Sequence, residues 1–302
     1  MIIEVPIDNI PKVNFQISKK PIPQSSNKNL PLMFNTQLYI GSKGRGKTHS
    51  LVSLLSLYET SVISDGISDY KMRCFLIAPT AYSTANTIYQ SLKSLDKSDI
   101  YLEYSDEILQ GIIDDIKKKS DDYQEYLDYK KIYDKFIKND DLWSRGANRL
   151  TDEELEELDN FDFKEPYELF EEVKPYVNFI IFDDLVGTGS FTLKTKSLIN
   201  NLTIKHRHLK CNLIFTTQGF KQIPPIVRNN IDVYVIFKSA SHKEVLDKIY
   251  QDINGYISYD DFKELYEYAT GDNHDSLVLI NNSLDKKGLE IRKNWGKKLL
   301  LK

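Results

Sequence analysis

A chain of 302 residues, 41% hydrophobic and 28% charged, has the make-up of a globular protein with room for one large α/β domain and an insertion. No apolar run nears the roughly 20 residues that span a bilayer, and Met1-Ile2-Ile3-Glu4 lacks the basic start and long apolar core of a secretion signal. The net charge of −4 argues against nucleic acid as a partner, though that average hides a strong segregation of charge.

Residues 1–18 alternate weakly (Ile2, Ile3, Val5, Ile7), predicting an edge strand or arm, and Lys19 to Pro31 reads as a Lys-, Pro-, Ser- and Asn-rich linker. Residues 1–35 are thus an arm and linker ahead of a main domain over 36–302. Thr36–Ile40 is the first core strand, followed by Gly41-Ser42-Lys43-Gly44-Arg45-Gly46-Lys47-Thr48 and then His49. This loop fits GxxxxGK[ST] at every fixed position, between a strand and a helix with Leu51, Leu54 and Leu55 at helical spacing. Its glycines let backbone N–H groups turn inward around phosphate oxygens, and the helix start adds a positive dipole end. Lys47 is placed to reach the β- and γ-phosphates of ATP, and Thr48 to offer its hydroxyl to Mg²⁺. The competing reading, a Gly-rich surface turn, explains none of that context.

The helix is expected to run to about Tyr58, and the polar, Gly-containing stretch 61–70 to be a loop. Met72–Ala78 is an apolar run closed by Pro79-Thr80, a second buried strand, with a short helix near Ala85–Leu92. An acidic segment over about 100–174 reads as a helical insertion. Ile108, Ile112 and Ile116 recur at helical spacing, Tyr126, Tyr133 and Ile137 suggest another helix, and Thr151 with Glu154 forms a capping-box signature for a third. Structural decoration and partner binding both remain open for this insertion. Its tyrosines read as core-facing, since acidic charge would repel phosphate from a stacking surface.

Val177–Phe182 is the next apolar run and ends in Asp183-Asp184. An apolar strand with acids at its tip suits phosphoryl transfer, which needs a metal held and a water oriented. Asp183 is the candidate Mg²⁺ partner and Asp184 the candidate base. A helix follows over about 192–208, then the strand Asn212–Thr217 tipped by Gln218. Further strands are expected over Asp232–Phe237 and Ser276–Ile280, the latter pairing Leu289–Arg292, with helices over 241–252 and 258–269 and a basic C-terminal tail. Strands alternating with helices imply a mostly parallel central sheet flanked by helices.

Charge is segregated. No acid occurs over 185–231, which carries Lys194, Lys196, Lys205, Arg207, Lys210, Lys221 and Arg228. Such a run is solvated charge by default and a phosphate-facing surface when it lies beside an ATP site. Cys74 and Cys211 fall in apolar runs and read as reduced core residues, as in a cytosolic protein. A zinc site at His206, His208 and Cys211 lacks a fourth ligand.

The run Arg207–Gln218, followed by Ile223-Pro224-Pro225-Ile226-Val227-Arg228-Asn229-Asn230, resembles the FtsK/HerA superfamily of P-loop ATPases. Within it the chain looks most like the poxvirus-type genome-packaging ATPases of large DNA viruses and virophages, over about Leu38–Ile280 outside the insertion. The resemblance implies an additional-strand P-loop NTPase fold, with the strand ending at Gln218 inserted between the two motif strands and Gln218 near the γ-phosphate. It implies an oligomeric ring, a hexamer or a pentamer, that translocates double-stranded DNA into a preformed capsid. Its partners would be DNA and capsid proteins at the packaging vertex, and its location the host cytoplasm or the virion. An arginine acting across the subunit boundary is expected, Arg228 first and Arg207 second, the latter alternatively a DNA-facing or helix-capping cation. Asp184 departs from the Glu of many superfamily members. The alternatives are another DNA motor or helicase of this superfamily, or a nucleotide-switched capsid-docking protein.

Overall fold

A computed structural model describes residues 21–82, 84–138, 150–171, 173–185, 197–239, 242–281 and 288–301. The expected N-terminal strand or arm, and Lys194 and Lys196, lie outside the described residues.

The linker contains a two-residue strand, β1 (Gln24–Ser25), before the first core strand β2 (Thr36–Ile40) and helix α1 (Lys47–Glu59). The stretch expected as a loop is a hairpin, since β3 (Ile63–Ser64) pairs antiparallel with the start of β4 (Asp69–Ile77). Asp65 makes the turn possible by accepting from the N–H groups of Ile67 and Ser68, an Asx-type closure that polarity alone does not distinguish from a free loop. The short helix after β4 is a 3₁₀ segment over Thr84–Ser91. Then come β5 (Ile100–Tyr101) and helix α2 (Asp106–Ile137). The two helices expected over this region are one continuous helix of 32 residues, about 48 Å long. Ser105 caps it by accepting from the Ile108 N–H. Helix α3 (Asp152–Asn160) begins with the expected Thr151–Glu154 capping box, and α4 is the single turn Pro166–Leu169.

The second half holds β6 (Tyr176–Phe182), α5 (Leu198–Lys205), β7 (Cys211–Thr217), the one-turn α6 (Pro225–Arg228) and β8 (Val233–Phe237). It closes with α7 (His242–Ile253), α8 (Tyr259–Ala269), β9 (Ser276–Ile280), β10 (Glu290–Lys293) and β11 (Lys297–Lys298).

The described strands form one sheet in the order β1-β3-β4-β6-β7-β2-β8-β9-β10-β11, with β5 on β4. The centre, β4-β6-β7-β2-β8, is parallel, and β9 to β11 join antiparallel at one edge. Central strands are buried on both faces, which is why they read as unbroken apolar runs. Alternation along β2 sends Leu38 and Ile40 to one core and Tyr39 to the other. Helix α1 covers the Tyr39 face through Leu51, Leu54 and Leu55.

The first half of α2 belongs to the main core: Leu109, Ile112, Ile113 and Ile116 pack with Phe75, Ile180 and Leu213. Only Tyr129 is buried in its second half, where it joins Leu150, Leu158, Phe161 and Phe170 in a separate aromatic cluster. The aromatics around the second half of α2 therefore build a small core of their own, while Tyr101 and Tyr104 pack with the main core.

Candidate functional site

The loop after β2 is seated at the C-terminal ends of the parallel strands. Gly41 N–H donates to Thr217 O on β7 (3.2 Å), and Ser42 N–H points at Lys238 O beyond β8 (3.5 Å). A Cβ on Gly41 would lie 2.6 Å from Phe237 Cβ, so the close approach to β8 requires glycine. Gly44 (φ 75) and Gly46 (φ 91) hold left-handed backbone, the conformation that turns successive N–H groups into one concavity. Gly46 is also the N-cap of α1, so the helix dipole opens into the loop.

Lys47 heads that helix and curls back, its Nζ donating to Gly41 O (2.8 Å) and Ser42 O (3.2 Å). Burial lowers its pKa, while Asp184 and Asp183 act in the opposite sense. The half-buried ammonium thus faces both carboxylates.

Asp183 ends β6 and is buried. The Thr216 hydroxyl donates to its Oδ1 (2.5 Å), and the Tyr89 hydroxyl to its Oδ2 (2.8 Å). Burial raises the Asp183 pKa; those two hydrogen bonds pull it back. Asp184 stands at φ 50, outside the strand, with its N–H on Thr216 Oγ1 (3.0 Å). Gln218 Nε2 approaches Asp184 Oδ1 at 3.4 Å. Strand β7 therefore touches both acids through Thr216, and Gln218, just past its end, adds a second contact to Asp184.

The structure brings Lys47, Thr48, Asp183, Asp184 and Gln218 to one end of the sheet, with β7 between the loop strand and the acid strand as expected. Arg45 Nη1 donates to Asn273 Oδ1 (2.8 Å), while Lys43 and His49 are exposed. Arg207 pairs with Asp232 Oδ1 (3.5 Å); both precede strands, so this pair sits at the opposite sheet end. Arg228 lies over the Phe220 ring (5.5 Å to the centroid), and its buried Nε has no hydrogen-bond partner among the described residues. Neither arginine joins the loop of its own chain among the contacts described.

Sequence reasoning missed Tyr89, Thr216 and His274. Tyr89 comes from the 3₁₀ segment and also interacts with Thr48, a placement that local pattern does not encode. His274 (φ 70) packs against Gly46, where an added Cβ would lie 3.3 Å from its own. Thr216 did carry a signal, standing at the end of the strand expected to be tipped by Gln218.

Mg²⁺ fits this donor set: a threonine hydroxyl and a buried carboxylate are hard oxygen ligands, and the desolvated charge of Asp183 favours a nearby cation. No group of three His, Cys, Asp or Glu among the described residues could cage a metal, so the ion would take its remaining ligands from phosphate and water. Zinc at His206 is ruled out by contacts, since both ring nitrogens face carbonyls, Thr203 O (2.7 Å) and Phe34 O (3.1 Å).

A phosphate loop following a central strand, with an acid-tipped strand two places away and one strand between, defines the architecture of an additional-strand P-loop NTPase. No protein family matches the chain as a sequence profile, and no curated protein matches it. Among solved structures, the genome packaging NTPase B204 from Sulfolobus turreted icosahedral virus 2, in complex with ATP-gammaS, is similar at 14% identity and TM-score 0.41, covering 91% of this chain and 100% of that one. B204, the DNA-packaging ATPase from Sulfolobus turreted icosahedral virus, is similar at 17% identity and TM-score 0.38, covering 85% and 96%. EssC (ATPases 2 and 3) from Geobacillus thermodenitrificans gives 15% identity and TM-score 0.42, covering 82% of this chain and 38% of that one.

Proposed function

We propose that the chain is an ATP-hydrolysing motor that moves double-stranded DNA into a viral capsid as an oligomeric ring. The observation that supports this best is the clamp of β7 on both acids, because a motor must connect its hydrolysis site to a movable element. Residues 41–49 cradle the phosphates, with Lys47 on the β- and γ-groups. Thr48 and Asp183 would hold magnesium, which would supply Lewis-acid polarisation of the phosphate oxygens. Asp184 polarises the attacking water, and Gln218 orients Asp184 and contacts the γ-phosphate side. Developing charge on the transferred group is met by Lys47 and by an arginine from the neighbouring subunit, Arg228 first and Arg207 second. The viral DNA substrate and the capsid partner rest on the resemblance of residues 207–230 to packaging ATPases, and on the acid-free stretch 185–231 as DNA-facing surface with the acidic insertion outside.

The test is ATP hydrolysis with and without duplex DNA. Stimulation by duplex, with no unwinding of a forked substrate, is the expected result. Unwinding would make the chain a helicase, and hydrolysis indifferent to DNA would make it a nucleotide-switched docking protein.

A further inference from the structure

At the sheet end opposite the phosphate loop lies a cavity of about 200 Å³ between α2 and the N-terminal ends of β6 and β7. It is lined by Lys119 from α2, Tyr176 and Asn178 from β6, and His208 and Lys210 from the turn before β7, with Asp121 the one acid among the described lining residues. Lys117 also reaches it, tethered to Asp114 at 3.4 Å. The Lys119 ammonium lies 5.6 Å from the Tyr176 ring centroid, and that of Lys71, the register partner of Tyr176 on β4, lies 5.4 Å from the same ring. Lys210 Nζ lies 5.3 Å from the Tyr70 ring. Of these three, Lys119 and Lys210 line the cavity, from two separate segments, and an aromatic face beside each ammonium reduces the side-chain freedom a bound anion would otherwise have to freeze.

Two sequence features meet here. Lys117–Lys119 is a basic run inside the otherwise acidic insertion, and Lys210 and His208 belong to the acid-free stretch. Far apart in sequence, they face one cavity. Lys210 holds left-handed backbone (φ 52), and its carbonyl accepts from the buried Asn178 N–H, which fixes the turn that carries it.

The cavity is not part of the nucleotide site. Tyr176 and Phe182 bracket β6, which puts about 20 Å of strand between the cavity and Asp183. Its size is below the range of about 300–1,000 Å³ that encloses a drug-sized ligand, so it suits a single small group.

We propose that this cavity is a second anion site that seats one phosphate group, with Lys119 and Lys210 as its principal contacts. A phosphodiester of a nucleic-acid strand and free inorganic phosphate share that chemistry. The nucleic-acid source deepens the DNA-motor reading and rests on it; the anion site itself does not.

The test uses the full chain carrying Lys47→Ala, which weakens the phosphate loop, with and without Lys119→Gln and Lys210→Gln. Inorganic phosphate should raise the melting temperature of the Lys47→Ala protein, and the two added substitutions should abolish that rise. Restoring charge with Lys119→Arg and Lys210→Arg should bring it back, separating lost charge from lost fold. For labelled duplex DNA, the two Gln substitutions together should lower the salt slope of binding by about one, since the cavity seats one phosphate. Loss of the phosphate effect with an unchanged DNA slope keeps the site and assigns it to free phosphate. If phosphate stabilises the doubly substituted protein as before and the slope is unchanged, the proposal is overturned.

Discussion

The Tyr89 hydroxyl donates to Asp183 Oδ2 at 2.8 Å, joining the 3₁₀ segment after β4 to the carboxylate expected to carry the metal. A hydrogen bond to a charged acceptor contributes about 1.5–3 kcal/mol, and here the carboxylate is buried. Tyr89→Phe removes the donor while keeping the ring. Nucleotide binding in the presence of Mg²⁺ should weaken about tenfold, and binding in EDTA should not change. A Mg²⁺ dependence equal to wild type would show that Tyr89 does not position Asp183.

Gly41 admits no side chain, because the obstacle is the Cβ of Phe237 at 2.6 Å. Gly41→Ala should therefore displace the loop, lower stability by about 1–3 kcal/mol and impair nucleotide binding. Adding Phe237→Ala should not rescue it, since alanine keeps the Cβ. Calorimetric binding close to wild type in Gly41→Ala would refute the contact.

His206 gives the fold a pH response. Burial depresses its pKa below 6.5, against the carbonyls of Thr203 and Phe34, which favour the charged ring. A depressed folded pKa means the unfolded chain takes up the proton first. This contribution is therefore present above pH 6.5 and lost as pH falls below it. Urea unfolding from pH 7.5 to 5 should show falling stability with a component absent in His206→Gln. Parallel pH profiles for the two proteins would contradict this.

Arg228 is expected to act in the neighbouring subunit, where an arginine supplied in trans can contribute about 10³–10⁵ in rate. Neither Arg228→Ala nor Lys47→Ala should hydrolyse ATP alone. Mixed rings should regain activity at interfaces that pair an intact loop with an intact Arg228. Inactive mixed rings, or a normal rate for Arg228→Ala, would remove Arg228 from this role.

Much of the centre of the fold was legible because buried parallel strands leave continuous apolar runs: Thr36–Ile40 and Ser276–Ile280 begin and end where the sequence places them. The loop was legible because its glycines answer to geometry, at Gly41, Gly44 and Gly46. Two-residue strands such as β3 have too few residues for periodicity to register. The length of α2 was hidden by its change of partner, from an aliphatic stripe on the sheet to an aromatic one around Tyr129. Tyr89 was beyond reach, since its role depends on where a 3₁₀ segment folds back rather than on any neighbour in sequence.

The central claim is that Asp183 and Asp184 divide metal binding from water activation. Asp184→Asn keeps the size and the Gln218 contact of the half-buried residue while removing its charge, and leaves Asp183 with Thr216 and Tyr89. Single-turnover hydrolysis measured alongside Mg²⁺–ATP affinity tests the claim directly. Affinity should stay at the wild-type value while the hydrolysis rate falls by about 10²-fold or more. Turnover at the wild-type rate, or affinity lost in step with rate, would contradict it.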